Sequence, residues 1–186
     1  ISIRHQGARD NFPIVRAEDN LVVGNGGDGI RVETSSQAAF GRGWIIRGNV
    51  VGRSVDRGLV IDAPSAALVL RNNTVFVNGS AGIVVRGNAQ DSIDHNVSYG
   101  NGGTGFQLVG GGVPVLACND WFGNQGGAVC CGEGVPDTTN LAVDPLFCDV
   151  SRDSVALGER SALLGAGGCG LVGARGRGCT STVTRG

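Results

Sequence analysis

The chain has 186 residues, 34 glycines and a net charge of −1. That length fits one domain, glycine does not recur at every third position as collagen requires, and the near-neutral charge offers no basic footprint for nucleic acid or an anionic membrane. No run approaches the ~20 apolar residues of a membrane span, all 15 basic residues are arginine, and six cysteines in so short a chain favour an oxidising compartment, secreted or at the cell surface.

Taken in chain order, Ile1-Ser2-Ile3-Arg4 aligns with Ile30-Arg31-Val32-Glu33 further along. It therefore reads as the second strand of a coil whose first part is absent. An open strand edge is a template for pairing, so Ile1 and Ile3 are an expected assembly edge, with the chain itself, stacked end to end into a filament, as partner. From Asn20 a unit repeats: an asparagine, then nine residues later a small residue and a hydrophobic-x-hydrophobic triplet. The units are Asn20…Gly29-Ile30-Arg31-Val32, Asn49…Gly58-Leu59-Val60-Ile61, Asn73…Gly82-Ile83-Val84-Val85, Asn96…Gly105-Phe106-Gln107-Leu108 and Asn119…Ala128-Val129-Cys130-Cys131. The asparagines lie 29, 24, 23 and 23 residues apart, a solenoid period.

Each unit holds three short strands. One follows the asparagine (Thr74-Val75-Phe76-Val77), one is the triplet, and one precedes the next asparagine (Trp44-Ile45-Ile46, Leu68-Val69-Leu70). No window has sustained helical periodicity, so each strand pairs with its equivalent in the next turn of a parallel β-helix. Alternation turns Ile30–Leu59–Ile83–Phe106–Val129 and Val32–Ile61–Val85–Leu108–Cys131 inward. The outward rows read Ser2–Arg31–Val60–Val84–Gln107 and Arg4–Glu33–Asp62–Arg86–Val109, and a carboxylate at Val84 is expected to be tolerated. The unit asparagines, and a second set at Asn25, Asn78, Asn101 and Asn124 with Ser54 standing in, are expected to form amide ladders in the bends. Three glycosylation-type triplets, beginning at Asn72, Asn78 and Asn96, read as by-products of this repeat.

After Cys131 the repeat fails. The expected organisation is a β-helix over residues 1–132, a capping segment over 133–179 and a mobile tail over 180–186. Leu141, Val143, Leu146 and Phe147 are expected on the open end of the last coil. With no Cys-x-x-Cys spacing, a zinc site is not expected. Cys169 and Cys179 flank a glycine-rich loop and are the expected pair; Cys130–Cys148 and Cys118–Cys131 are chosen among the remaining combinations.

Segments such as Asn73-Thr74-Val75-Phe76-Val77-Asn78-Gly79 and Gly82-Ile83-Val84-Val85 resemble the generic repeat of the right-handed parallel β-helix proteins, a superfamily that includes pectate lyases and many secreted bacterial proteins. Asp144-Pro145-Leu146-Phe147-Cys148-Asp149, with Gly173-Ala174 and Cys179 beyond, is similar to the closing segment of such proteins. The resemblance implies an all-β, right-handed parallel β-helix of about three strands per coil. It also implies that any enzymatic member would act on acidic polysaccharide along the outer face of one strand, with loops as groove walls.

On this chain that face carries Arg4, Arg31, Glu33, Asp62 and Arg86, with loops 5–12 and 34–42 adding His5, Arg9, Asp10, Phe12, Phe40 and Arg42. Arginines there could pair with uronate carboxylates. Glu33 and Asp62 on neighbouring coils are the candidates for acid–base work or for calcium, the one cofactor this face suggests. The plainer reading is a solvated face of alternating charge. Asp94-His95 resembles a pectate-lyase sequence and suits an acid–base or metal pair, yet Asp94 also belongs to a charged row Glu18–Arg47–Arg71–Asp94, and His95 sits where other units have Asp19, Gly48, Asn72 and Cys118. The paired aspartates, Gly-His-Gly and Asp-Pro-His-Asp of the family's enzymes are missing. The sequence thus supports a secreted non-catalytic module, structural, adhesive or assembling. The alternatives are a polysaccharide lyase or epimerase, or a polysaccharide-binding module, on the Arg31/Glu33/Asp62/Arg86 face.

Overall fold

The computed structural model describes residues 1–5, 15–34, 43–62, 67–86, 91–110, 112, 114–130, 139–165 and 168–180. Arg9, Asp10, Phe12, Phe40, Arg42, Cys131, the side chain of His5 and residues 181–186 lie outside the described residues, and so does the expected boundary at 132/133.

The chain enters through β1 (Ser2–His5) and then winds through repeated three-strand turns. These are β2 (Val15–Glu18), β3 (Leu21–Val23) and β4 (Ile30–Thr34); β5 (Trp44–Arg47), β6 (Val50–Gly52) and β7 (Leu59–Asp62); β8 (Leu68–Arg71), β9 (Thr74–Phe76) and β10 (Ile83–Arg86); and β11 (Ser92–Asp94), β12 (Val97–Tyr99) and β13 (Phe106–Val109). A last, partial turn holds β14 (Val115–Ala117) and β15 (Val129–Cys130). Equivalent strands pair in parallel into three sheets: sheet A in the order β1-β4-β7-β10-β13-β15, sheet B as β14-β11-β8-β5-β2, and sheet C as β12-β9-β6-β3. The protein is a parallel β-helix.

The register is the one the sequence implies. Ile30 pairs with Leu59, Leu59 with Ile83, Ile83 with Phe106 and Phe106 with Val129, and the adjoining outward rows follow. Ile3 pairs with Val32, so β1 is the outermost strand of sheet A. The inward rows of all three sheets meet in one core, from Val22 and Val32 through Leu70 and Ile83 to Phe106 and Trp121.

The bends are held by the expected amides. Each unit asparagine accepts at Oδ1 from both the backbone N–H and the side-chain Nδ2 of the asparagine one coil before it, as Asn49 does with Asn20 and Asn73 with Asn49. A second ladder runs through Asn78, Asn101 and Asn124. Asn78 and Asn96 are fully used here, which removes them as glycosylation acceptors. At Ser54 the second ladder weakens: Ser54 Oγ and Asn25 Nδ2 have no hydrogen-bond partner among the described residues.

Immediately before each unit asparagine the backbone enters the left-handed region, at Asp19, Gly48, Asn72, His95 and Cys118, with φ between 51° and 67°. Asn, Asp, Gly and His are the residues most enriched there, so the bend accounts for much of the variety at that position. The glycine ahead of each triplet has a steric cause. A Cβ on Gly82 would collide with the Ser98 hydroxyl and lie 2.7 Å from Asn101 Nδ2. Ala128 escapes this constraint because it is exposed on the last turn.

The C-terminal segment differs from expectation in its path. Residues 139–143 add one more partial turn: Asn119 donates to Asn140 Oδ1, and Leu141 bridges Asp120 in the row of sheet C. Asn140-Leu141-Ala142-Val143 mirrors Asn20-Leu21-Val22-Val23, a sixth unit that a direct comparison of the two tetrapeptides reveals. The chain then doubles back along the outer face of sheet C through β16 (Phe147–Asp149), β17 (Ser154–Gly158) and β18 (Arg177–Cys179). Phe147 is therefore not on the open end of the solenoid; it packs edge-on against Tyr99, ring centroids 5.3 Å apart, and joins Val50, Phe76 and Val155. Leu146 is exposed.

The disulfides also differ. Cys118 pairs with Cys169 and Cys148 with Cys179, so Cys169–Cys179, Cys130–Cys148 and Cys118–Cys131 do not form; Cys130 is also disulfide-bonded. The cause is the doubled-back path, which lays the glycine-rich residues around Cys169 over the Cys118 bend instead of closing them on Cys179.

Candidate functional site

The outer face of sheet A brings Arg4, Arg31, Glu33, Asp62 and Arg86 onto one surface, since Arg4 pairs in register with Glu33, Glu33 with Asp62 and Asp62 with Arg86. Every one of these groups is committed to a neighbour of opposite charge. Glu33 takes Arg31 Nε at 2.8 Å and Arg4 Nε at 2.5 Å, and Asp62 takes Arg86 Nε at 2.9 Å. Arg31 also reaches Asp28 at 3.1 Å, and Asp28 is gripped by Arg57 through two contacts at 2.9 and 3.0 Å. Sequence reasoning passed over Asp28 and Arg57, which lie in the bend before the triplet rather than on the alternating strand.

The electrostatics follow from these contacts. The Arg31 hydrogen bond, with Arg4 beside it, holds Glu33 below the usual carboxylate range. Burial pushes Asp28 up, but hydrogen bonds from Arg57 and Arg31 outweigh it and leave the group below its ordinary value. A general acid needs a carboxyl that holds its proton near working pH; both of these are pinned in the ionised form. As for calcium, which takes about six to eight oxygens, Glu33 and Asp62 are the pair this face brings into register, each turned into an arginine.

Between the two groups of ion pairs lies a shallow groove of about 230 Å³, lined by Arg31, Arg57, Val60, Val84, Arg86 and Val109. Its floor faces outward yet is nearly closed: Val60 is 4% and Val84 7% exposed, packed with Ala81 and Val109. The sequence pattern, which shows only which face a side chain takes, could not show that this outward row forms a small apolar cluster of its own.

Asp94 and His95 stand on the other side of the coil. Asp94 holds Arg71 Nε at 3.0 Å and His95 Nδ1 at 2.6 Å, while His95 Nε2 lies 2.8 Å from the Cys169 carbonyl. Both ring nitrogens are engaged, Nδ1 by Asp94 and Nε2 in fastening the C-terminal segment. A neighbouring cleft of about 420 Å³ is bordered by Arg47, Gly48, Arg71, Asn72, His95 and Leu171. The ladder Glu18–Arg47–Arg71–Asp94 is present in register and joined by ion pairs at its ends.

A family model described as "Periplasmic copper-binding protein (NosD)" matches residues 3–134. The chain belongs to this family. No curated protein and no solved structure matches it. The NosD match spans β2 to β15 and stops short of the partial turn at 139–143. Family and disulfides agree on a compartment outside the cytoplasm, and among the described residues no helix is long and apolar enough to cross a membrane.

The family description names copper, and the donor set of this NosD-family chain does not fit that ion. Copper sites draw on imidazole, thiolate and thioether ligands. The chain has two histidines and no methionine, its described cysteines are all in disulfides, and His95 has both ring nitrogens occupied. Among the described residues no three His, Cys, Asp or Glu side chains gather into a metal-holding group. Titration of the disulfide-intact protein with Cu(II), followed by calorimetry, is expected to show no stoichiometric high-affinity binding; a tight one-to-one isotherm would overturn this.

Proposed function

We propose that this chain is a non-catalytic β-helix module acting outside the cytoplasm as a structural or docking element. The observation that carries the reading is the pairing of every candidate acid: Glu33 with Arg31 and Arg4, Asp62 with Arg86, Asp94 with Arg71 and His95. Groups so paired balance charge and rigidify a surface. They leave no proton donor and base facing each other across a space for substrate.

A second reading, polysaccharide binding without turnover, is favoured by the apolar-floored groove with Arg31, Arg57 and Arg86 on its rims. Incubation with pectate and alginate in the presence of calcium separates the readings. No unsaturated product is expected. Product that disappears in Asp62→Ala would replace the proposal with a lyase. Retardation in a pectate-containing native gel, lost in Arg86→Gln, would establish the binding reading instead.

A further inference from the structure

Asp120 is the most unusual residue in the protein. It stands on the outer row of sheet C, whose members in order are Leu21, Val50, Thr74, Val97, Asp120 and Leu141. It is the one ionisable member of that row and is fully buried. Oδ1 accepts the Val143 N–H at 2.9 Å, while Oδ2 has no partner among the described residues. Its two row neighbours, Val97 and Leu141, pack with Val143, Leu157, Leu163 and Val172, so what closes over this part of the row is the doubled-back C-terminal segment.

That segment is laced to the bends of successive coils. Cys169 is bonded to Cys118 and its carbonyl meets His95 Nε2. Gly173 donates to the His95 carbonyl at 2.8 Å, Asn72 Nδ2 donates to the Leu171 and Gly173 carbonyls, and Ala174 donates to Thr74 Oγ1 at 2.9 Å. Further along sheet C, Arg53 holds Asp153 at 2.5 Å and the Val150 carbonyl at 2.7 Å.

One titratable group, Asp120, is fully buried beneath this lacing, and its neutral, protonated form costs less there than its ionised form. An ionised Asp120 would bury a bare carboxylate oxygen, which is severely penalised. We propose that the C-terminal segment is a tethered strap whose docking on sheet C is gated by protonation of Asp120 beneath it.

The groups around Asp120 have a net upward effect on its protonation. Burial, with the nearby Asp144 carboxylate adding to it and the Val143 N–H opposing, pushes Asp120 up to about 7. The strap residues packed over its neighbours are apolar. A carboxyl whose folded value is raised stabilises the closed form fully below its ordinary value near 4, and that contribution falls as pH rises to about 7, then levels off. The Cys118–Cys169 and Cys148–Cys179 bonds are covalent and independent of protonation, so the strap opens locally and stays attached. Opening uncovers Val97 and Leu141, an apolar flank that appears only at the higher pH.

Amide hydrogen exchange on the disulfide-intact protein at pH 5 and pH 8, corrected for intrinsic rates, tests this. Protection at Val143, Gly173 and Ala174 is expected to fall on the order of a hundredfold from the lower to the higher pH, while amides of Ile83 and Val85 in the core change little. Asp120→Asn should abolish most of the difference at Val143. Where Asp120→Asn does not fold, Asp120→Leu, matching Leu21 and Leu141 on the same row, serves instead. Equal protection at the two pH values in the wild type, or an unchanged pH dependence in the folded Asp120 variant, overturns the proposal.

Discussion

Asn96→Leu is expected to destabilise the protein by about 4 kcal/mol or more, counting roughly 1–3 kcal/mol for each buried polar group left without a partner. The side chain is fully buried and makes five hydrogen bonds. Its Oδ1 accepts from the backbone and side chain of Asn73, and its Nδ2 donates to Leu70 O, Asp94 O and Asn119 Oδ1. Leucine fills a similar volume but strands the Asn73 N–H and breaks the ladder at its middle. Against a total stability of about 5–15 kcal/mol this is a large fraction. Asn20, at the first rung and partly exposed, gives its amide, among the described residues, to Asn49 alone, so Asn20→Leu should cost about 1 kcal/mol. Urea unfolding of both variants makes the comparison; equal losses would show that the ladder is decoration rather than structure.

Val85→Asp is the second large effect. Val85 is 0% exposed, on the inward row between Ile61 and Leu108. An unpaired carboxylate there belongs to the short class of changes that cost more than about 4 kcal/mol. The neighbouring Val84 points to the other face. The sequence alone suggests it would accept a carboxylate freely, but at 7% exposure, packed with Val60, Ala81 and Val109, it has little water to offer one. Val84→Asp is therefore expected to cost about 1–3 kcal/mol, an intermediate loss set by a shallow cluster that can open to solvent. Thermal melts of the two variants decide it; identical losses would mean the register is wrong.

The candidate site was legible only in outline. Which residues share the outer face of sheet A follows from alternation and repeat spacing, so Arg31, Glu33, Asp62 and Arg86 appear together as expected. How they pair does not follow, because Asp28 and Arg57 enter from the bend and redistribute the charges. Asp120 escaped notice because its position looks like a generic asparagine-aspartate turn. Its meaning depends on a segment that arrives from 37 to 52 residues downstream, where Leu157, Leu163 and Val172 pack over its neighbours.

The coils were determined by the sequence itself. Each turn faces a near-copy of itself at an offset of 23 or 24 residues over most of the stack, so one rule, written several times in asparagines, glycines and alternating triplets, specifies strand, face and register together. The C-terminal segment obeys no such repetition. Arg53 meets Asp153 across 100 residues and Asn72 meets Gly173 across 101, each contact made once. A contact made once leaves no period to read, and its geometry depends on surfaces that exist only after the coils have stacked. The path of the strap, the Cys118–Cys169 and Cys148–Cys179 disulfides and the burial of Asp120 were therefore decided by tertiary structure alone.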